Sequence, residues 1–404
     1  MKKYFLLFLI VSLTITAYPQ KNKKDYKEKA LEIHRRVLTI DTHVDTPLRL
    51  DRDGFDIGKR NDKNNGKVDL PRMEEGGLDA IFFAVFIGQG ERNDTVNEKI
   101  KQKALDIFDA IYSNVEKYPE LAEIALTPDD AYRIEKTGKR AIYIGIENGY
   151  PVGEDTSNIS LFYDRGARYI TLCHSKNNDI CDSANDTIEH NGVSEFGKLV
   201  IEKMNDIGMI IDVSHMSDKS FYDVIELSKA PVFASHSCSR AICDNPRNMT
   251  DSMLLKLAEN GGVIQMCILS DYVKKIEQDT NRTKAKDALR VKYRYFKDLT
   301  DEEYKSAVKE WYAIDTIYPP KLAKVSDVVD HIDHMVKLIG IDHVGIGTDF
   351  DGGGGVEDCF DVSEMQNITI ELYKRGYSEE DIRKIWGENF IRVFRKVNEL
   401  AGKS

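Results

Sequence analysis

The chain has 404 residues, 41% hydrophobic and 31% charged, which suits one large core and excludes fibrous and disordered polypeptides. Its 68 acidic residues outnumber the 57 basic ones for a formal charge of -11, and no basic cluster is interleaved with aromatics, which argues against a nucleic-acid partner. Six cysteines without a CxxC pair exclude a disulfide-built scaffold and a zinc ribbon.

At the N-terminus, Lys2 and Lys3 precede an apolar run from Tyr4 to Val11, followed by small and polar residues up to Gln20. This pattern reads as a signal peptide over residues 1–20 with an indistinct cleavage point. The run is shorter than the ~20 residues a membrane span needs, and no other segment approaches that length. The expectation is an exported mature chain, periplasmic or secreted, without an integral span.

Beyond it, short apolar runs alternate with helical patterns. The runs are Val37–Ile40, Ala80–Ile87, Ala141–Ile146, Tyr169–Cys173, Met209–Val213, Val232–Ala234, Gly262–Cys267 and Val344–Gly347. Between them lie expected helices at Asn97–Tyr118, Ser194–Ile207, Asp218–Lys229 and Thr250–Asn260. Ser194, Ser217 and Thr250 stand where N-caps are needed, and Gly208 and Gly261 where helices end. This α/β alternation predicts a (β/α)8 TIM-type barrel, with an open doubly wound sheet as the alternative. Asp271 to Lys324 breaks the pattern: it is charged and tyrosine-rich, with a helix around Thr300–Trp311 and a break at Pro319–Pro320. It reads as a helical insertion between the seventh and eighth runs, serving as a lid, a dimer contact or a solvated helical pair. Two helices over Ser363–Leu400 close a single catalytic domain, 21–404.

In a parallel barrel the C-terminal ends of the strands face one shared site. Here those ends are ionisable: His43 and Asp45 after the first run, Glu147 after the third, His174 after the fourth, His215 after the fifth, His236 after the sixth, and Asp349 with Asp351 after the eighth. A strand's period of two puts His43 and Asp45 on one face, where they can grip one metal. His215 and His236, from neighbouring strands, suit a second. Glu147 has two oxygens with which to bridge them. Imidazole and carboxylate ligands fit zinc, with manganese or cobalt as substitutes. Two such cations activate water at neutral pH and polarise the bond under attack. Asp349 is then the expected proton carrier, and His174 a donor to the developing oxyanion. One of Asp349 and Asp351 could instead serve only the turn before Gly352–Gly355. His34, His190, His331, His334 and His343 lack strand-end placement and read as surface or packing residues. No HExxH helix, GxSxG elbow or GxxxxGK[ST] loop is present.

Taken together, Asp41-Thr42-His43-Val44-Asp45, Ile146-Glu147-Asn148-Gly149, Leu172-Cys173-His174-Ser175, Asp212-Val213-Ser214-His215, Ser235-His236-Ser237, Asn245-Pro246-Arg247-Asn248 and Gly345-Ile346-Gly347-Thr348-Asp349-Phe350-Asp351-Gly352 resemble the membrane dipeptidase (renal dipeptidase) family over almost the whole mature chain. The resemblance implies a dizinc dipeptidase of the amidohydrolase-like barrel fold, cleaving dipeptides with a free C-terminal carboxylate through a metal-bridging hydroxide. His43 and Asp45 would hold one zinc, His215 and His236 the other, and Glu147 would bridge. His174 would contact substrate and Asp349 handle the proton. Arg247, which spacing alone does not single out, would pair with the substrate carboxylate, whose two oxygens match a guanidinium fork. A homodimer is also implied. The stretch Met266–Tyr272 departs from the family's aromatic-containing pattern, which concerns the side-chain pocket, and the C-terminus lacks the hydrophobic tail of lipid-anchored relatives. The rivals are another amidohydrolase-type enzyme acting on a cyclic amide, N-acyl amino acid or phosphoester, and a non-catalytic peptide-binding protein.

Overall fold

A computed structural model describes residues 23–52, 54–62, 64–296 and 299–403, so the signal-peptide reading of residues 1–20 lies outside the described residues. The apolar runs form parallel strands: β1 (Ile40–Val44), β2 (Ala80–Phe86), β3 (Ala122–Ile124), β4 (Arg140–Glu147), β5 (Ala167–Thr171), β6 (Ile210–Asp212), β7 (Phe233–Ser237), β8 (Val263–Met266) and β9 (Val344–Ile346). The path β1-β2-β4-β5-β6-β7-β8-β9 makes the eight staves of a barrel. Closure lies just past β9, where the Asp349 N–H donates to the His43 carbonyl at 3.0 Å and the Asp45 N–H to the Phe350 carbonyl at 2.8 Å.

A ninth strand, β3, lies off the path of the eight expected staves. β2 pairs with β4 along its length from Ala141 to Glu147, whereas β5 takes the opposite edge only from Ile144 onward. The free beginning of that edge, Arg140 to Ile142, is covered by β3. Three residues in the loop after the helix Asp94–Glu116 thus satisfy backbone groups that would otherwise be unpaired. β1 and β7 also extend beyond the expected runs into polar sequence, because the polar residues there are themselves buried. The Asp41 carboxylate, for example, accepts from the Thr348 N–H at 2.9 Å.

Alternation along the strands separates two apolar layers. Ile40, Phe82, Tyr143, Tyr169, Ile210, Phe233 and Val263 point inward and meet Phe390 and Phe394 of the C-terminal helix Asn389–Leu400, which plugs the barrel floor. The intervening residues, such as Ile81, Ile142, Ile170 and Ile264, face the surrounding helices. Those helices begin where expected: Ser194 accepts from the Gly197 N–H, Ser217 from that of Ser220 and Thr250 from that of Met253. Gly208, at φ 75, ends the first of them in a left-handed conformation that glycine adopts without strain.

The insertion lies between β8 and β9 and consists mainly of the helices Thr280–Lys292 and Asp301–Ile317. They enclose a small core of Leu289, Tyr293 and Ala307 with Trp311 against it. Asp301–Ile317 also leans on the loop after β1, where the Arg52 guanidinium lies 4.3 Å from the Tyr304 ring. No helix among the described residues is long and apolar enough to cross a membrane.

Candidate metal centre

The strand ends bring the expected ionisable residues together. Simple alternation would not have done so: with Ile40 and Phe233 pointing into the barrel, unbroken strands would turn His43 and His236 outward. A bulge in each strand reverses the parity. Register passes from Asp41↔Ile81 to Val44↔Phe83 and from Ala234↔Ile264 to Ser237↔Met266, so β1 and β7 each carry one extra residue across the step. One inserted residue flips every later side chain to the other face, and here it aims both imidazoles into the mouth.

Glu147 stands in the middle with its two oxygens facing different ways. Oε2 lies 3.6 Å from His43 Nε2, which is also 3.6 Å from Asp45 Oδ2. Oε1 lies 3.1 Å from His215 Nε2 and 3.5 Å from His236 Nε2. The Nε2 atoms of His215 and His236 approach to 2.9 Å, and the rings of His43 and His236 stack at 3.8 Å. Two donor sets result, His43–Asp45–Glu147 and Glu147–His215–His236, with the potential ligand atoms of each within 4.8 Å of one another. All five residues are buried, yet His43 Nε2 and Asp45 Oδ1 have no hydrogen-bond partner. Buried polar atoms are normally satisfied, so unpaired imidazole and carboxylate atoms converging on one point are the donor chemistry of a divalent cation.

At Glu147, His215 and His236 the electrostatics point the same way. Burial, reinforced by Arg247 and neighbouring imidazoles, holds His215 and His236 well below the usual histidine range, which keeps them neutral as metal ligands must be. Burial opposes a charge on Glu147, but the imidazoles of His43, His174 and His215 outweigh it and hold the carboxyl well below its usual range. Asp349 behaves oppositely: burial, with Cys267 and Asp45 adding to it, drives its carboxyl well above the usual range. Asp349 also forms a third donor group with His43 and His236, so it borders the same space.

Around the cluster lies a cavity of about 280 Å³, walled by Leu48, Phe86, His174, Leu269 and Tyr272. The His174 side chain is 26% exposed, with Nε2 3.8 Å from Glu147 Oε1 and its ring against Phe86. Gly352 completes the wall because nothing larger fits: a Cβ there would stand 2.0 Å from Asp45 Oδ2 and 2.2 Å from Asp349 Oδ1. Asp351 is the carboxylate that serves the turn, accepting from Arg49 Nε at 2.8 Å and Thr46 Oγ1 at 2.9 Å. Arg247 is buried behind His236, donating from Nη1 to Ser237 Oγ and from Nη2 to the His236 carbonyl, each at 2.8 Å. Its Nε has no partner and its guanidinium lies 5.7 Å from the Tyr272 ring.

A family model described as membrane dipeptidase, peptidase family M19, matches residues 27–404. The chain belongs to the membrane dipeptidase family. It is therefore a metal-dependent dipeptidase, and the rival of a different amidohydrolase on the same barrel is not favoured. The dipeptidase tcpJ of Claviceps purpurea is 33% identical over 83% of this chain and 70% of its own length. Dipeptidase 3 of Rattus norvegicus is 31% identical over 94% of this chain and 69% of its own. Among solved structures, the probable dipeptidase PvdM from Pseudomonas aeruginosa superposes with a TM-score of 0.80 at 32% identity, covering 94% of this chain and all of that one.

Outside the mouth of this dipeptidase barrel, the other histidines have packing or hydrogen-bonding roles. His331 Nδ1 accepts from the Ser239 N–H and its Nε2 donates to the Val273 carbonyl, and His334 Nε2 meets Asp251 at 2.8 Å. All six cysteines are buried free thiols. Sequence reasoning passed over Tyr169, whose hydroxyl lies 2.9 Å from His43 Nδ1, because a tyrosine in an apolar strand carries no local signal of its task.

Proposed function

We propose that this dipeptidase cleaves dipeptides bearing a free C-terminal carboxylate, with two zinc ions held by His43 and Asp45 on one side, His215 and His236 on the other, and Glu147 between. The observation that carries the reading is the division of the Glu147 carboxylate, one oxygen toward each donor set. Manganese or cobalt could replace zinc on the same ligands. When bound, the cations supply Lewis acidity that activates water and polarises the peptide carbonyl.

The remaining steps belong to side chains. Arg247 receives the substrate carboxylate, its guanidinium oriented by Ser237 and the His236 carbonyl. This contact restricts the substrate to a short peptide ending near the mouth. His174, held below the usual histidine range mainly by burial, stays neutral and donates an N–H to the oxyanion formed from the carbonyl. Asp349, which borders the same space as His43 and His236, takes a proton from the attacking water and returns it to the leaving amine. Leu48, Phe86, Leu269 and Tyr272 exclude water from the substrate side chains. The apolar run Tyr4–Val11 supports export of the mature chain as a single catalytic domain over 21–404, and the family resemblance supports a homodimer.

The test compares hydrolysis of Ala-Ala with that of its C-terminal amide by zinc-restored enzyme. Cleavage of the free acid alone, abolished by a chelator, is expected. Equal cleavage of both would remove the carboxylate clamp, and cleavage of neither would move the activity to another amide, ester or phosphoester.

A further inference from the structure

The imidazoles that face the two cation positions are held from behind by different devices. His236 Nδ1 lies 2.8 Å from Ser235 Oγ, whose hydroxyl donates to Asp212 Oδ2 at 2.6 Å. Asp212 is in turn fixed by the backbone N–H groups of Ser214 and Ser235 at 3.0 and 2.8 Å. Because the serine proton is committed to Asp212, its oxygen accepts from the His236 Nδ1–H, and the Nε2 lone pair is left facing Glu147. His43 has no such carboxylate relay. Its Nδ1 meets only the phenol of Tyr169, at 2.9 Å.

Tyr169 is wholly buried on the barrel interior, wedged against Phe82 and Phe233 at centroid distances of 5.5 and 5.2 Å. The ring occupies the space above Gly145 of β4, where a Cβ would come within 2.1 Å of Tyr169 Cζ. Glycine weakens a strand interior, and here its backbone is not in the left-handed region, so conformational freedom does not account for it. The room it leaves for the phenol does. Removing one Cβ on β4 lets a side chain of β5 reach across the barrel to an imidazole of β1.

We infer that Tyr169 is a positioning residue for the first cation site, with Gly145 the clearance that admits it. The inference rests on the dizinc reading above. The Tyr169 oxygen accepts the Nδ1–H of His43, which fixes the ring and the tautomer and presents the Nε2 lone pair between Asp45 and Glu147. The two sites are then separable by their supports: Tyr169 governs the site of His43 and Asp45, and Ser235 governs that of His215 and His236.

Metal-free protein is titrated with zinc against a chromogenic chelator, comparing wild type with Tyr169→Phe, Ser235→Ala and Gly145→Ala. Phenylalanine keeps the ring and deletes only the hydroxyl. Tyr169→Phe is expected to weaken one zinc site by about 10- to 100-fold, the usual range for loss of a partner behind a ligand, and to leave the other unchanged. Ser235→Ala should weaken the opposite site, so that combining the two weakens both. Gly145→Ala should weaken the same site as Tyr169→Phe, and adding it to Tyr169→Phe should change that affinity little. Wild-type affinities at both sites in Tyr169→Phe would overturn the inference, as would equal weakening of both with a lower Tm, the signature of mere packing. If the wild type binds a single zinc, the dizinc reading falls instead, and Tyr169 then stands or falls by whether Tyr169→Phe weakens that one ion.

Discussion

His34 and His43 are both buried, yet their surroundings could hardly differ more. His34 ends the first helix and packs in the outer layer, where Nε2 meets the Gly76 carbonyl at 2.9 Å and Nδ1 meets Thr369 Oγ1 at 2.7 Å. Trp386 Nε1 donates to the same threonine oxygen at 2.7 Å, completing a satisfied cluster. His43, in the mouth, has one nitrogen bonded to Tyr169 and the other facing two carboxylates without a hydrogen bond. An imidazole with both nitrogens satisfied contributes to holding a fold. One with a buried nitrogen unsatisfied costs stability unless something outside the chain completes it. The charged insertion offers a third case, since charges on its surface pair in solvent, as Lys292 does with Glu310 at 2.6 Å. Pairs of that kind contribute little and carry no implication of a missing ligand.

Mouth variants should therefore lose metal and turnover, while outer-layer variants lose stability. Glu147→Gln should give the largest effect: zinc no longer retained by calorimetric titration and kcat/KM lower by about a thousandfold or more. Its metal-free Tm should fall only modestly, because the imidazoles that favour the carboxylate lose the charge they face; loss of cooperative folding would place Glu147 with the structural residues. Asp349→Asn should keep both metals by elemental analysis but lose about 10²- to 10⁴-fold in kcat, the usual worth of a positioned acid-base group. Near-normal kcat in that variant would end its proton role.

Arg247→Met should raise KM for dipeptides by about 10- to 100-fold, the scale of a lost charged hydrogen bond, with a smaller change in kcat. An unchanged KM would remove it from the binding site. The smallest effect on activity, and the clearest on stability, belongs to His34. Burial above all lowers its pKa from 6.5 to about 4 in the folded chain. On acidification the unfolded chain therefore binds the proton first. The stability His34 confers is full above pH 6.5 and is lost as pH falls to about 4, a difference of about 3 kcal/mol. Against His34→Gln, wild-type Tm should fall more steeply across that window, while kcat/KM of the two at pH 8 stays equal. Parallel Tm curves would show that His34 is not held neutral.

Much of the site was legible because a parallel barrel collects its strand ends, so that His43, Asp45, Glu147, His174, His215, His236 and Asp349 could each be read from a position just past an apolar run. Arg247 was not legible in that way. It lies in a loop, where only the family resemblance of Asn245-Pro246-Arg247-Asn248 points to it in the sequence, and its burial behind His236 sets it beside the site. β3 was equally hidden, since Ala122–Ile124 is too short to carry a period and exists because β5 leaves part of an edge uncovered. The choice between Asp349 and Asp351 needed coordinates, which put one beside the donor sets and the other against Arg49.

The sequence by itself determined the alternation of strands and helices, the caps that start the helices, and the chemistry of the groups delivered to the mouth. These depend on local propensity and on a period that neighbouring residues share. Only the tertiary structure decided which way those groups point. The bulges in β1 and β7 arise from pairing with β2 and β8, and the reach of Tyr169 depends on a glycine one strand away. Register and clearance are relations between segments distant in the chain, and no stretch of residues contains them alone.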